Sequence, residues 1–191
     1  MNKNCIIAGV GGQGILTIAA IIDIAAMKHN LFVKQAEVHG MSQRGGAVES
    51  HIRISDSEIF SDLIPAGQAD CIIATEPLEA LRYVPFLKKD GMIITAQKPF
   101  VNCDNYPEEE RLFSELKNYS SIIVDAEKLA LQNGSVKATN TVILGAAAPF
   151  LDIPETLLTE AINDFFAAKG EQIISMNISA FNDGLAYSKK N

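Results

Sequence analysis

The run Cys5-Ile6-Ile7-Ala8-Gly9-Val10-Gly11-Gly12-Gln13-Gly14 decides how this chain folds. Its first four residues are apolar without alternation, the pattern of a strand buried on both faces of a sheet. The glycines then break the strand. Ile15 to Lys28 follows with apolar side chains on nearly all sides, which predicts a deeply packed helix. Strand, glycine turn and helix in that order open a βαβ unit. Gly9, Gly11 and Gly14 satisfy GxGxxG. Glycine permits a tight turn and close approach of a ligand to the main chain, while the helix N–H groups attract an anion.

Outward from that turn, Leu31 to Ala36 reads as a second strand. Glu37 ends it, 23 residues after Gly14, where a dinucleotide-binding fold places its ribose-binding acid. Spacing alone leaves two readings open: an NAD or FAD site, and a turn needed only to pack helix against sheet. Farther on, Val48, Ser50, Ile52 and Ile54 alternate with Glu49, His51 and Arg53. This predicts a strand with one wet face, paired antiparallel with Glu58–Phe60. Further strands are expected at Cys71–Ala74, Met92–Thr95 and Ile122–Val124. Helices fit Glu76–Leu87, Pro107–Lys117 and Asn140–Ala148. Another begins with the capping pair Asp152 and Glu155 and closes at Lys169-Gly170, and a last one runs from Glu171 to about Lys189. The expected fold class is α/β: a mostly parallel, Rossmann-like sheet flanked by helices, with an antiparallel edge hairpin. No repeat or linker divides residues 1–191, which read as one domain.

The 191 residues are 48% hydrophobic, enough for a real core. A net charge of −7 argues against nucleic acid as a partner, because phosphate-backbone binding needs a basic face. The longest apolar stretch, Ile15 to Met27, is too short to span a bilayer and contains Asp23, so no membrane association is expected. Cys5, Cys71 and Cys103 lie far apart, without the CxxC spacing of an iron–sulfur or zinc cradle. Cys5 and Cys71 read as core thiols, which suits a reducing cytoplasm.

The loop after the second strand bears chemistry. In Glu37-Val38-His39-Gly40-Met41-Ser42-Gln43-Arg44-Gly45-Gly46 a guanidinium precedes two glycines, exposing a cation beside bare main chain. That arrangement suits an anionic group at close range. Residues 28–53 hold four basic side chains (Lys28, Lys34, Arg44, Arg53) and two acidic ones (Glu37, Glu49), a balance of +2 against −9 elsewhere. The three histidines (His29, His39, His51) fall in the same window. A basic island on an acidic protein is a docking site for a phosphate-bearing ligand, or a chance clustering.

These motifs carry a family resemblance. GVGGQG, EVHGMSQRGG and Asn140-Thr141-Val142-Ile143-Leu144-Gly145-Ala146 together resemble the γ domain of 2-oxoacid:ferredoxin oxidoreductases. The second is most similar to the β subunit of the indolepyruvate enzymes. The resemblance runs from about Asn4 to the C-terminal helix. It implies the small subunit of an enzyme that oxidatively decarboxylates a 2-oxoacid, indolepyruvate or another aryl pyruvate, to an acyl-CoA. The subunit would be inactive alone, and a pyruvate or other 2-oxoacid enzyme is the alternative. The resemblance further implies that this chain alone binds no cofactor. Thiamine diphosphate and the iron–sulfur clusters would sit in a larger partner subunit, with coenzyme A as co-substrate and ferredoxin reached indirectly. Expressed alone, the chain would self-associate as a homodimer, to close over its loop. The site residues it implies are Gly9, Gly11, Gly12, Gln13 and Gly14 of the turn, the loop His39, Gly40, Met41, Ser42, Gln43, Arg44, Gly45 and Gly46, and Asn140. Arg44 would pair with a phosphate or carboxylate, Gln13 would offer an amide, and Asn140 would orient the adjacent helix start. No nucleophile or general base is expected among them.

Overall fold

The computed structural model describes residues 1–39 and 46–190. Apolar runs make the parallel part of the sheet: β1 (Asn2–Val10), β4 (Ala69–Ala74), β5 (Leu87–Ala96) and, at the edge, β6 (Ser121–Val124) pair parallel in that order. β2 (Phe32–His39) and β3 (Ala47–Ser55) complete six strands in the order β2-β3-β1-β4-β5-β6. β3 runs antiparallel to both β1 and β2.

Side chains alternate across β1 as the pleat requires. Cys5 and Ile7 enter one core, which α1 (Ile15–Lys28), α5 (Thr139–Ala147), α6 (Glu155–Phe166) and α7 (Glu171–Ser188) cover. Ile6 and Ala8 enter the other, beneath α2 (Pro77–Arg82) and α3 (Glu109–Leu116). α4 (Ala126–Gln132) follows β6, with Asp125 accepting from the Lys128 N–H at its start. Helix α5 presses on α7 through two glycines. A Cβ on Gly145 would lie 2.0 Å from the Phe181 carbonyl oxygen, and one on Gly184 would lie 2.0 Å from that of Val142. Between the same helices the Thr141 hydroxyl donates to Asn177 Oδ1 at 2.7 Å, a buried polar contact.

The mostly parallel sheet with an antiparallel edge pair and helices on both faces is as expected, and α1 has the expected limits. The partner of β3 differs. It pairs over its whole length with β1 and β2, and Glu58–Phe60 forms no strand. Its supposed wet face is also largely covered: His51 is 3% exposed, accepts from the Ile64 N–H through Nδ1, and meets the Phe86 ring edge-on. Residues 59–64 fold back over that face, and the Arg53 guanidinium holds the carbonyls of Ser61 and Leu63. Helix α2 ends at Arg82, because a 3-10 turn with Pro85 in it begins at Val84 and β5 already begins at Leu87. Asp152 takes a left-handed turn (φ 55°) and caps nothing; Pro154 precedes α6 instead. Among the described residues, no helix is long and apolar enough to cross a membrane.

Beyond β2 no further strand lies among the described residues, and Phe32 (52%) and Val38 (47%) are exposed on the α2/α3 face.

Candidate functional site at the carboxyl edge

β1 and β2 point the same way, because both oppose β3. Their carboxyl ends therefore share an edge, and with them the glycine turn and the loop that follows His39. A main-chain bond joins the two: Gly11 N–H donates to the Gly46 carbonyl at 3.0 Å. Residues 40–45, with Arg44 among them, lie outside the described residues, as does the His39 side chain.

Within the turn the glycines do different work. Gly12 (φ 97°) has open space where a Cβ would stand, so main-chain conformation alone demands glycine there. Gly14 (φ 79°) is the N-cap of α1, and a Cβ on it would lie 2.4 Å from Asn140 Nδ2. That nitrogen donates to the Gly14 carbonyl at 3.2 Å, so the first turn of α5 positions the start of α1. A Cβ on Gly9 would collide with Thr75 Oγ1 at 2.0 Å, so this glycine makes room for a neighbouring side chain.

Gln13 is fixed from two sides. Its Oε1 accepts from the Val10 N–H and from the Thr75 hydroxyl, each at 2.8 Å. A main-chain N–H can only donate, so the oxygen must face it, leaving the Nε2 amide to the cleft beyond. That cleft has a volume of about 1230 Å³. It runs from Gly12–Gly14 past Thr75 and Asn140 to Lys137, Lys169 and the first turns of α7. The start of α1 opens onto it with no acidic residue in its first turn, so that helix end presents partial positive charge. Helix α5 also starts there, with its Thr139 and Thr141 N–H groups already given to the Val136 carbonyl and Asn140 Oδ1. Lys169 lies 5.8 Å from the Phe166 ring centre. The acid at the rim, Glu127, is engaged by Lys98 at 2.7 Å. An anionic, elongated molecule fits this lining better than a neutral one.

The structure brings Gly9, Gly11, Gly12, Gln13, Gly14, Gly46 and Asn140 to one edge. Two members of the basic island lie away from that edge. Lys28, at the far end of α1, pairs with Asp164 at 2.9 Å, and Arg53 bonds Asn4 near the start of β1 at 3.1 Å. Thr75, Lys137 and Lys169 went unnoticed in the sequence. Thr75 alone had a signal, as the residue ending an apolar strand beside the glycine turn. Glu37 does not stand where a ribose-binding acid would. β3 lies between β2 and β1, which sets the two parallel strands about 9.5 Å apart instead of about 4.8 Å.

Residues 4–187 match the family model described as pyruvate ferredoxin/flavodoxin oxidoreductase. The chain belongs to that family. Among members of the pyruvate ferredoxin/flavodoxin oxidoreductase family, it is 40% identical to the indolepyruvate oxidoreductase subunit IorB of Archaeoglobus fulgidus, covering 96% of this chain and 94% of that one. It is 31% identical to the pyruvate/ketoisovalerate oxidoreductases common subunit gamma of Thermococcus kodakarensis, covering 94% and 95%. The solved 2-oxoglutarate:ferredoxin oxidoreductase of Magnetococcus marinus, with 2-oxoglutarate, coenzyme A and succinyl-CoA bound, has the same fold over the whole chain (TM-score 0.80, 23% identity). This chain spans 31% of that one.

Proposed function

We propose that this chain is the small subunit of a 2-oxoacid:ferredoxin oxidoreductase of the indolepyruvate type. A larger subunit holds thiamine diphosphate and the iron–sulfur clusters, and this subunit covers one side of the reaction site and offers coenzyme A its carboxyl-edge cleft. The carrying observation is the Gly11–Gly46 bond, which fastens the loop motif to the glycine turn at the mouth of a cationic cleft. Three parts of the cleft suit a phosphate-bearing ligand: the start of α1, the lysines Lys137 and Lys169, and the Gln13 amide. The 40% identity to an indolepyruvate subunit, against 31% to a pyruvate/ketoisovalerate one, favours an aryl pyruvate as substrate. Alone the subunit is inactive, in the cytoplasm it works with its partner, and ferredoxin receives electrons from the partner's clusters.

The test is to co-express the chain with its large subunit and follow ferredoxin reduction with coenzyme A and each 2-oxoacid in turn. Indolepyruvate should give the highest kcat/KM, and the small chain alone should give no turnover. A preference for pyruvate would move the assignment to the second class of relative. Unchanged activity of the large subunit without this chain would overturn the proposal, and so would micromolar binding of NAD or FAD by this chain.

A further inference from the structure

We propose that β2 is a homotypic docking edge, through which two copies of this chain pair their sheets antiparallel about a two-fold axis at Gln35. Its outer side carries eight residues of main chain with no strand beside it among the described residues. Such an edge is a template for strand addition unless it is blunted. Proline and a bulge are absent from Phe32–His39, which pairs with β3 without a break in register. Its one lysine, Lys34, is the single edge-blunting device on the α2/α3 face and must be accommodated by the register.

The occupant follows from the pattern of side chains. A two-fold axis normal to the sheet keeps each face on its own side, so residues paired across it must share a face. Only axes passing through a residue meet this condition. With the axis at Lys34, two lysines oppose each other. With the axis at Ala36, Lys34 falls opposite the partner's Val38 and Phe32 has no partner within the strand. With the axis at Gln35, Phe32 meets the partner's Val38, Lys34 meets the partner's Ala36, and Gln35 meets its own copy. The two exposed apolar residues of the strand, 52% and 47% accessible, then cover each other twice over. Cross-strand apolar pairs of this kind are the unit of sheet stabilisation. The same face carries further apolar surface from the returning segment, where Phe60 is 87% exposed and Leu63 also lies open. The edge is self-complementary in one register, which commits it to a second copy. The pairing joins two six-stranded sheets into one and leaves the two glycine turns at opposite ends, both accessible to large subunits.

Light scattering of the chain should give about twice 20.6 kDa at micromolar to millimolar concentration. In a Cys103→Ser background, Gln35→Cys should cross-link two small chains under mild oxidation, alone and in the assembled enzyme. Phe32→Cys should not, since its two copies stand about 20 Å apart. Phe32→Lys and Val38→Glu should each weaken the dimer by about tenfold or more. The double variant should restore it, because opposite charges then face each other across the axis. Unchanged melting temperatures show that these surface variants still fold. A monomer at every concentration overturns the proposal. So does a dimer that does not cross-link at position 35, or protection of that thiol by the large subunit without a link between small chains.

Discussion

Three residues carry more energetic consequence than their neighbours. Gly12 and Gly14 both hold left-handed main chain, yet only Gly14 is also hemmed in, by Asn140. Gly12→Ala should therefore cost only the strain of the conformation, about 1–2 kcal/mol. Gly14→Ala should cost more, about 3 kcal/mol, because it also displaces the carboxamide that ties α5 to α1. Urea titration of both variants measures the difference, and equal costs would mean that Asn140 yields freely. Asp23 sits in the apolar helix α1 with one oxygen buried and unpaired, and burial pushes its carboxyl up to about 6. Because the folded state holds this proton more tightly than the unfolded chain, stability falls as pH rises from about 4 through 6, with the loss complete above that. The loss approaches about 3 kcal/mol. Asp23→Asn should raise the melting temperature at pH 7.5 and leave it unchanged near pH 4. A gain at both would assign the effect to packing.

Among the elements, the α5–α7 pair is the least forgiving. Gly145 and Gly184 admit backbone carbonyls of the facing helix to within 2.0 Å of where a Cβ would sit, and a carbonyl inside a helix has nowhere to retreat. Gly145→Ala should force the helices apart and cost more than about 3 kcal/mol, although alanine favours an isolated helix by about 1 kcal/mol. Thermal unfolding followed by circular dichroism would test this, a stabilised variant being the contrary result. At this scale much was legible in the sequence. The unbroken apolar runs of β1, β4 and β5 gave strands buried on both faces, and glycine with Lys28 bounded α1. Alternation along Val48–Ile54 marked a strand but not its neighbours, because period two says which residues share a face and nothing about which strand comes next. Glu58–Phe60 was nearest in sequence; β1 and β2 were the partners that buried both edges of β3. Helix α4 passed unnoticed although Asp125 caps it. Seven residues are too few for a periodic signal. The glycine turn of the candidate site was legible because its residues are contiguous. Lys137 and Lys169 were not, because they reach the cleft only after the chain has crossed both faces of the sheet.

Taken whole, the molecule is a sheet with the proposed site at one end and the β2 edge along one side. β2 ends there at His39, and the chain returns at Gly46, whose carbonyl accepts from the Gly11 N–H. In the assembled enzyme, Arg44→Ala should lower kcat/KM for coenzyme A or the 2-oxoacid about ten- to a hundredfold, the value of one charge-assisted contact of roughly 1.5–3 kcal/mol. The melting temperature should not move, and Arg44→Lys should recover part of the loss, since lysine lacks the forked geometry. Wild-type kinetics would remove that cation from the proposed function.

Cys5 and Cys71 stand side by side on β1 and β4, in register, fully buried and with their sulfurs 3.0 Å apart. Their mutual hydrogen bond, then burial, pushes the Cys5 thiol well above its ordinary range, away from the reactive thiolate. Cys103 is exposed. The chain thus carries its own clock for global opening. A thiol reagent should modify Cys103 at once and the other two only when the middle of the sheet comes apart. At saturating reagent the slow phase should level off at the unfolding rate itself, and Cys5 and Cys71 should be modified together, in chains that have lost every strand contact at once. Labelling of either without the other would mean that the sheet opens from one side.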